Sequence, residues 1–144
     1  MSHVRDVSLS EQLDPSTPAY INARLMELEQ RFQEAPQKLA EAREVVTLAR
    51  DKFDDATEDY QTAKAHAFLD ADGRNKESRE AQALIATEDE RKAVRVAEAA
   101  YKYAQDRFAL LSDKVKQFSQ EKDALQTRAA TLRAEMQLAG KGRP

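Results

Sequence analysis

The chain has 144 residues, with 23 Lys and Arg against 26 Asp and Glu and a formal charge of −3. Charged residues make up 34%, aromatics only 6%, and there are three Gly, four Pro, no Trp and no Cys. Such a composition, dominated by Ala, Glu, Lys, Leu and Arg, predicts one small all-α domain. It excludes an all-β domain, a doubly wound sheet, a disulfide frame and a Cys-based zinc site.

Residues 1 to about 17 mix Ser, Pro, Asp and Thr without periodicity and read as a flexible arm. Thr17-Pro18 reads as an N-cap followed by Pro at the first helical position. From there Ile21, Leu25, Leu28, Phe32, Ala35, Leu39, Ala42, Val46, Ala49, Phe53, Ala56, Tyr60, Ala63 and Ala67 recur in alternating steps of four and three. This is a heptad seam, and it passes Pro36 without losing phase. The first arm is therefore expected over 18–70 with a kink at Pro36, a full break into a short third helix being the alternative.

Asp70-Ala71-Asp72-Gly73-Arg74-Asn75 is the one strong turn signal. A second arm is expected over 76–139. Its seam runs through Val94, Ala97, Tyr101, Ala104, Phe108, Leu111, Val115, Phe118, Lys122, Leu125, Ala129, Leu132, Met136 and Ala139, with Lys122 as its polar member. Thr87–Lys92 interrupts the pattern, and Ala83, Leu84 and Ile85 resume apolar contact nearer the turn. Gly140 reads as a helix stop and 140–144 as a frayed tail. The expected fold is a long antiparallel helical hairpin, coiled-coil-like, the longer arm spanning roughly 95 Å if straight. Two helices alone cannot bury such seams fully, so an oligomer is expected. An off-seam stripe, Val96, Ala100, Tyr103 and Leu110, reads as the oligomer surface, with contact to the N-terminal segment as the other reading.

Charge is uneven: residues 1–73 carry a net −7 and residues 74–144 a net +4. Asp51, Asp54, Asp55, Glu58 and Asp59 form an acidic run on the first arm, and Arg91, Lys92 and Arg95 a basic group on the second. Folding at Gly73 sets these groups opposite one another. Two readings stand: ion pairs that fix the hairpin's register, or a patch for nucleic-acid phosphates. At the turn Lys64, Arg74, Lys76 and Arg79, with His66 and Phe68 nearby, form a second basic group. It offers phosphate contacts and a stacking ring, or simply a solvated tip diluted by Asp70, Asp72, Glu77 and Glu80.

Chemical motifs are lacking. An EF-hand loop starting at Asp70 would need Gly and Glu where Asn75 and Ala81 stand. His3 and His66 have no partner at ligand spacing, there is no phosphate-binding Gly-rich loop or nucleophile elbow, and no Trp-x-Gly marks the turn. No enzyme, cofactor or metal is expected. No uncharged apolar run approaches the ~20 residues that span a bilayer, and no signal-peptide core opens the chain, so no membrane role is expected.

Three segments carry a family resemblance: Ala63-Lys64-Ala65-His66-Ala67-Phe68-Leu69 on the first arm, Asp72-Gly73-Arg74-Asn75 at the turn with Ser78-Arg79-Glu80-Ala81 after it, and Leu125 to Gly140 with Arg128, Arg133 and Glu135. Over about residues 40–140 the chain resembles small helical phage proteins, and more loosely the UvsY-type recombination mediators of large phages. In that family a Lys-Ala-Arg-type segment before the loop contributes to single-stranded DNA binding. Lys64 matches its Lys, while His66 stands where the Arg would be and is mostly neutral at pH 7. The resemblance implies a ring-like homo-oligomer that binds single-stranded DNA. It further implies help in loading a RecA-type recombinase onto DNA covered by single-strand-binding protein, in the cytoplasm of an infected bacterium. A non-enzymatic coiled-coil adaptor or structural phage protein that binds a host or phage protein is the alternative. The residues expected to meet nucleic acid are Lys64, His66, Arg74, Lys76, Arg79, Arg91, Lys92 and Arg95.

Overall fold

The computed structural model describes residues 8–141, and all regular structure among them is helical. A 3-10 turn, Leu9–Gln12, precedes α1 (Pro18–Asp70), α2 (Lys76–Ala86) and α3 (Glu88–Lys141). Helix α1 begins where the cap signal lies: the Thr17 hydroxyl accepts the Tyr20 N–H at 3.3 Å. It continues through Pro36 to Asp70, so the break into a third helix at that point does not occur. Asn75 caps α2, its side-chain oxygen accepting the Ser78 N–H at 2.7 Å.

The second arm departs from expectation at Thr87, which divides it into α2 and α3. The buried Thr87 hydroxyl donates to the Ala83 carbonyl at 2.7 Å, and the Thr87 N–H goes to the same oxygen at 3.1 Å. The Thr87 carbonyl then accepts the Arg91 N–H at 3.0 Å, opening α3. Glu88, Asp89 and Glu90 fill the first turn of α3, where carboxylates suit the helix dipole. Ala83 is buried as expected, but Leu84 and Ile85 face solvent. Gly140 does not stop α3, which runs on to Lys141. Residues 1–7 of the expected arm, with His3, and 142–144 of the tail lie outside the described residues.

The contacts divide the chain into two compact units: residues up to Lys38 with those from Ser112 on, and Leu39–Leu111. In the first unit α1 and α3 pack antiparallel, Pro18 lying by Met136 and Phe32 by Lys122. Ile21, Leu28 and Leu125 are its core, with Tyr20, Leu25, Phe32, Phe118, Ala129 and Leu132 packed around them. Full burial of Ile21 or Leu28 contributes about 1.5–3 kcal/mol each. In the second unit α1 and α3 are again antiparallel, with Arg43 over Phe108 and Phe53 against Tyr101 at 6.1 Å between ring centroids. The seam phase is right in both. Every first-arm seam residue is buried or half-buried, as is the second-arm seam from Val94 to Leu132, while Met136 and Ala139 are exposed.

Residues 8–17 also differ from the expected unstructured arm. Ser10 is buried, and its N–H and hydroxyl donate to the two carboxylate oxygens of Glu27 at 3.1 and 2.6 Å. Asp14 folds the next turn back by accepting the Ser16 N–H and hydroxyl at 2.9 and 2.8 Å. Both bonds hold its carboxyl below the ordinary value.

Candidate functional site

The sequence singles out the cations at the tip. Gly73 is buried in the loop between α1 and α2, and a Cβ there would lie 2.6 Å from Ser78 Oγ and 2.9 Å from the Arg79 nitrogen. The close approach lets the Gly73 carbonyl accept Arg79 Nε at 3.0 Å. The Arg79 guanidinium thus locks the loop. Lys76 pairs with Glu80 at 3.9 Å and Lys92 with Glu88 at 3.4 Å, each along its own helix. Arg91 Nη2 donates to the Leu84 carbonyl at 2.8 Å, bracing the α2–α3 break, and its Nε is buried without a hydrogen-bond partner among the described residues.

Four of the eight expected phosphate contacts therefore already hold protein groups. Lys64, His66, Arg74 and Arg95 are exposed and have no hydrogen bond or ion pair among the described residues. Phe68 is half-buried, which removes part of its stacking face. His66 lines a groove with Asp70, Gln82, Thr87 and Glu90, so the other ionisable groups lining that groove are acidic. Nor does the acidic run of α1 pair with the basic group of α3. Asp51 bonds Arg50, and the group's cations have the partners just named or none among the described residues.

Register in the first unit is fixed instead by residues that sequence reasoning missed. Arg24 grips Glu121 with two bonds, Nε to Oε1 at 2.7 Å and Nη2 to Oε2 at 3.0 Å, and reaches Glu27 at 3.3 Å. The Glu121 hydrogen bond raises the Arg24 pKa above its already high ordinary value. Burial pushes the Glu27 carboxyl up, but the Ser10 and Arg24 bonds outweigh it and leave that group below its ordinary value. Two cation–π contacts accompany this network: Arg31 over Phe118 at 4.9 Å and Lys122 over Phe32 at 5.3 Å. The second explains why a lysine interrupts an apolar seam.

The second unit also carries an uncovered apolar feature. Val45 and Leu48 of α1 face Val96, Ala100 and Tyr103 of α3 across an open apolar groove of about 710 Å³. The expected oligomer stripe is fully displayed: Val96 is 70% exposed, Tyr103 64% and Leu110 56%. Val45 and Leu48, each 55% exposed, were not anticipated, although each stands one residue before a seam position (Val46, Ala49) and so flanks the seam on one side. Arg107 lies over the Tyr103 ring at 5.8 Å at the groove's end.

Among the described residues no three His, Asp or Glu are grouped to hold a metal, and no helix is long and apolar enough to cross a membrane. No protein-family model matches this chain, and no curated protein and no solved structure is significantly similar to it.

Proposed function

We propose that this chain is a non-enzymatic helical interaction module whose working surface is the apolar groove of the second unit. One observation carries the reading: a chain with 34% charged residues displays Val45, Leu48, Val96 and Tyr103 together, outside a seam that is covered throughout the second unit. Solvent-exposed apolar patches of this kind mark interaction sites. A groove between two antiparallel helices suits a third, amphipathic helix, whose side chains enter at coiled-coil spacing. The exposed second stripe supports self-association as well as adaptor function.

A photo-cross-linking residue placed at Tyr103 tests this, with the same residue at Gln105 as control. Protein cross-linked from position 103 and not from 105, in purified protein or in extract of the producing cells, is the expected result. Equal, background cross-linking from both positions refutes it.

A second reading, a single-stranded DNA-binding recombination mediator, is favoured by Lys64, Arg74 and Arg95, which are exposed and unpaired among the described residues. With a net charge of −3 a single chain offers few phosphate contacts. The reading therefore requires an oligomer that repeats a weak patch along the strand, in a phage-infected bacterial cytoplasm, with a recombinase and a single-strand-binding protein as its partners. Fluorescence anisotropy of a labelled oligonucleotide at two salt concentrations tests it. Salt-sensitive binding that falls when Lys64, Arg74 and Arg95 are changed to Ala supports it, and no binding at low salt removes it.

A further inference from the structure

From the pattern along α3 we infer that the occupant of the groove is a second copy of this chain, docked antiparallel through α3 about a two-fold axis. This inference rests on the groove being an interaction surface. The face of α3 that borders the groove carries Asp89, Ala93, Val96, Ala100, Tyr103 and Arg107, in steps of four and three. All six are exposed, whereas the seam residues between them, Val94, Ala97, Tyr101 and Ala104, are buried or half-buried. The two periodic stripes lie on adjacent sides of one helix, and only one of them is covered.

The exposed stripe is complementary to itself when reversed. Set antiparallel about its midpoint, Val96 meets Ala100 of the second copy, Tyr103 meets Ala93, and Arg107 meets Asp89. Each large side chain faces a small one, which lets the helices approach closely and fills the space so made. Each charge faces its opposite. A two-fold axis repeats all three pairings, giving the self-complementary interface that closed dimers require. The parallel arrangement sets Tyr103 against Tyr103, Asp89 against Asp89 and Arg107 against Arg107, so like charges oppose it.

Two details favour this occupant over an unrelated helix. Asp89 has no hydrogen bond or ion pair among the described residues, so its carboxylate is available. Among the described residues the polar and ring contacts of Arg107 are with Tyr103, 5.8 Å over the ring and 3.5 Å from Nη1 to the hydroxyl, and that stacking holds the guanidinium on the stripe. The apolar centre between these charges extends onto α1 through Val45 and Leu48, which form the groove's other wall.

Two charge reversals in the full-length protein test the register. Asp89→Arg and Arg107→Asp each place like charges opposite one another twice per dimer, so each variant alone should associate at least about tenfold more weakly than wild type in sedimentation equilibrium. Mixed in equal amounts they restore both opposite-charge pairs, and the mixture should regain a dimer within about threefold of wild-type affinity. Far-UV circular dichroism shows whether either variant retains its helix. A dimeric wild type whose reversals do not complement in the mixture overturns this register. If wild type stays monomeric while position 103 cross-links a different protein, self-docking fails and the interaction-module reading stands. If wild type is monomeric and nothing is cross-linked from 103, both fail.

Discussion

Breaking the Arg24–Glu121 clasp should cost about 1.5–2.5 kcal/mol, which places it above a surface ion pair and below a fully buried one. Glu121→Ala removes two charge-assisted bonds of 2.7 and 3.0 Å, and bonds of this kind contribute about 1.5–3 kcal/mol. The side chains are 16% and 33% exposed, so water screens part of that gain. Arg24 is not orphaned, because Glu27 stays within 3.3 Å, and the ~3–5 kcal/mol cost of stranding a buried charge does not apply. At about 4 °C per kcal/mol for a chain of this size, the melting temperature should fall by roughly 6–10 °C. A double-mutant cycle with Arg24→Ala and Glu121→Ala, followed by urea unfolding, isolates the pair from each residue's other contacts. A coupling energy under about 0.5 kcal/mol would show that the clasp merely decorates the apolar packing beneath it.

Glu27 links the 3-10 turn to pH. Its carboxyl lies below the ordinary value of 4.5, so the folded state binds its proton less readily than the unfolded state. The stability it contributes is therefore present above about pH 4.5 and is lost as pH falls through the lower folded value. The Ser10 amide should lose protection, measured against its intrinsic exchange rate, over that acid window, and Ser10→Ala should weaken the window's effect on unfolding. Gly73→Ala should cost about 1–3 kcal/mol, since its Cβ meets backbone at 2.9 Å and the loop must shift; unchanged amide exchange in α2 would contradict this. Thr87→Val keeps shape but loses the hydroxyl bond to Ala83, an expected loss of about 1 kcal/mol with faster exchange around the α2–α3 break.

The helices were legible because their seams are periodic over many turns, and a phase carried through fourteen positions outweighs one Pro36. The α1 start was legible for a local reason, Thr17 capping three residues into the helix it opens. What escaped the sequence depends on contacts between distant residues. Ser10 gains its partner from Glu27, seventeen positions on, and the charges that set register in the first unit, Arg24 and Glu121, are separated by 97. Neither belongs to a charge run, whereas the conspicuous runs at 51–59 and 91–95 find their partners along their own helices, on backbone, or not at all among the described residues. Lys122, the polar member of an apolar seam, is accounted for by the Phe32 ring beneath its ammonium.

At the candidate site the division is similar. Val96, Ala100, Tyr103 and Leu110 stood out because their spacing repeats on one helix, and all four are exposed. The groove's other wall, Val45 and Leu48, needed the two helices to be set side by side. For the tip, residue type and position suggest phosphate binding, but Arg79 and Arg91 are bound to the Gly73 and Leu84 carbonyls of the turn and the helix break, the second shared with the Thr87 hydroxyl at 3.4 Å. Cations beside irregular backbone often serve that backbone, because the end of a helix exposes acceptors that need a donor.

Sedimentation equilibrium of the wild-type chain over a micromolar concentration series, beside Val96→Asp, tests most directly whether the exposed stripe is covered by a second copy. Twice the chain mass for wild type, with Val96→Asp shifted toward monomer at unchanged helix content, is the expected result. A wild type that sediments at the single-chain mass throughout, or a Val96→Asp variant that associates as strongly as wild type, would contradict the account.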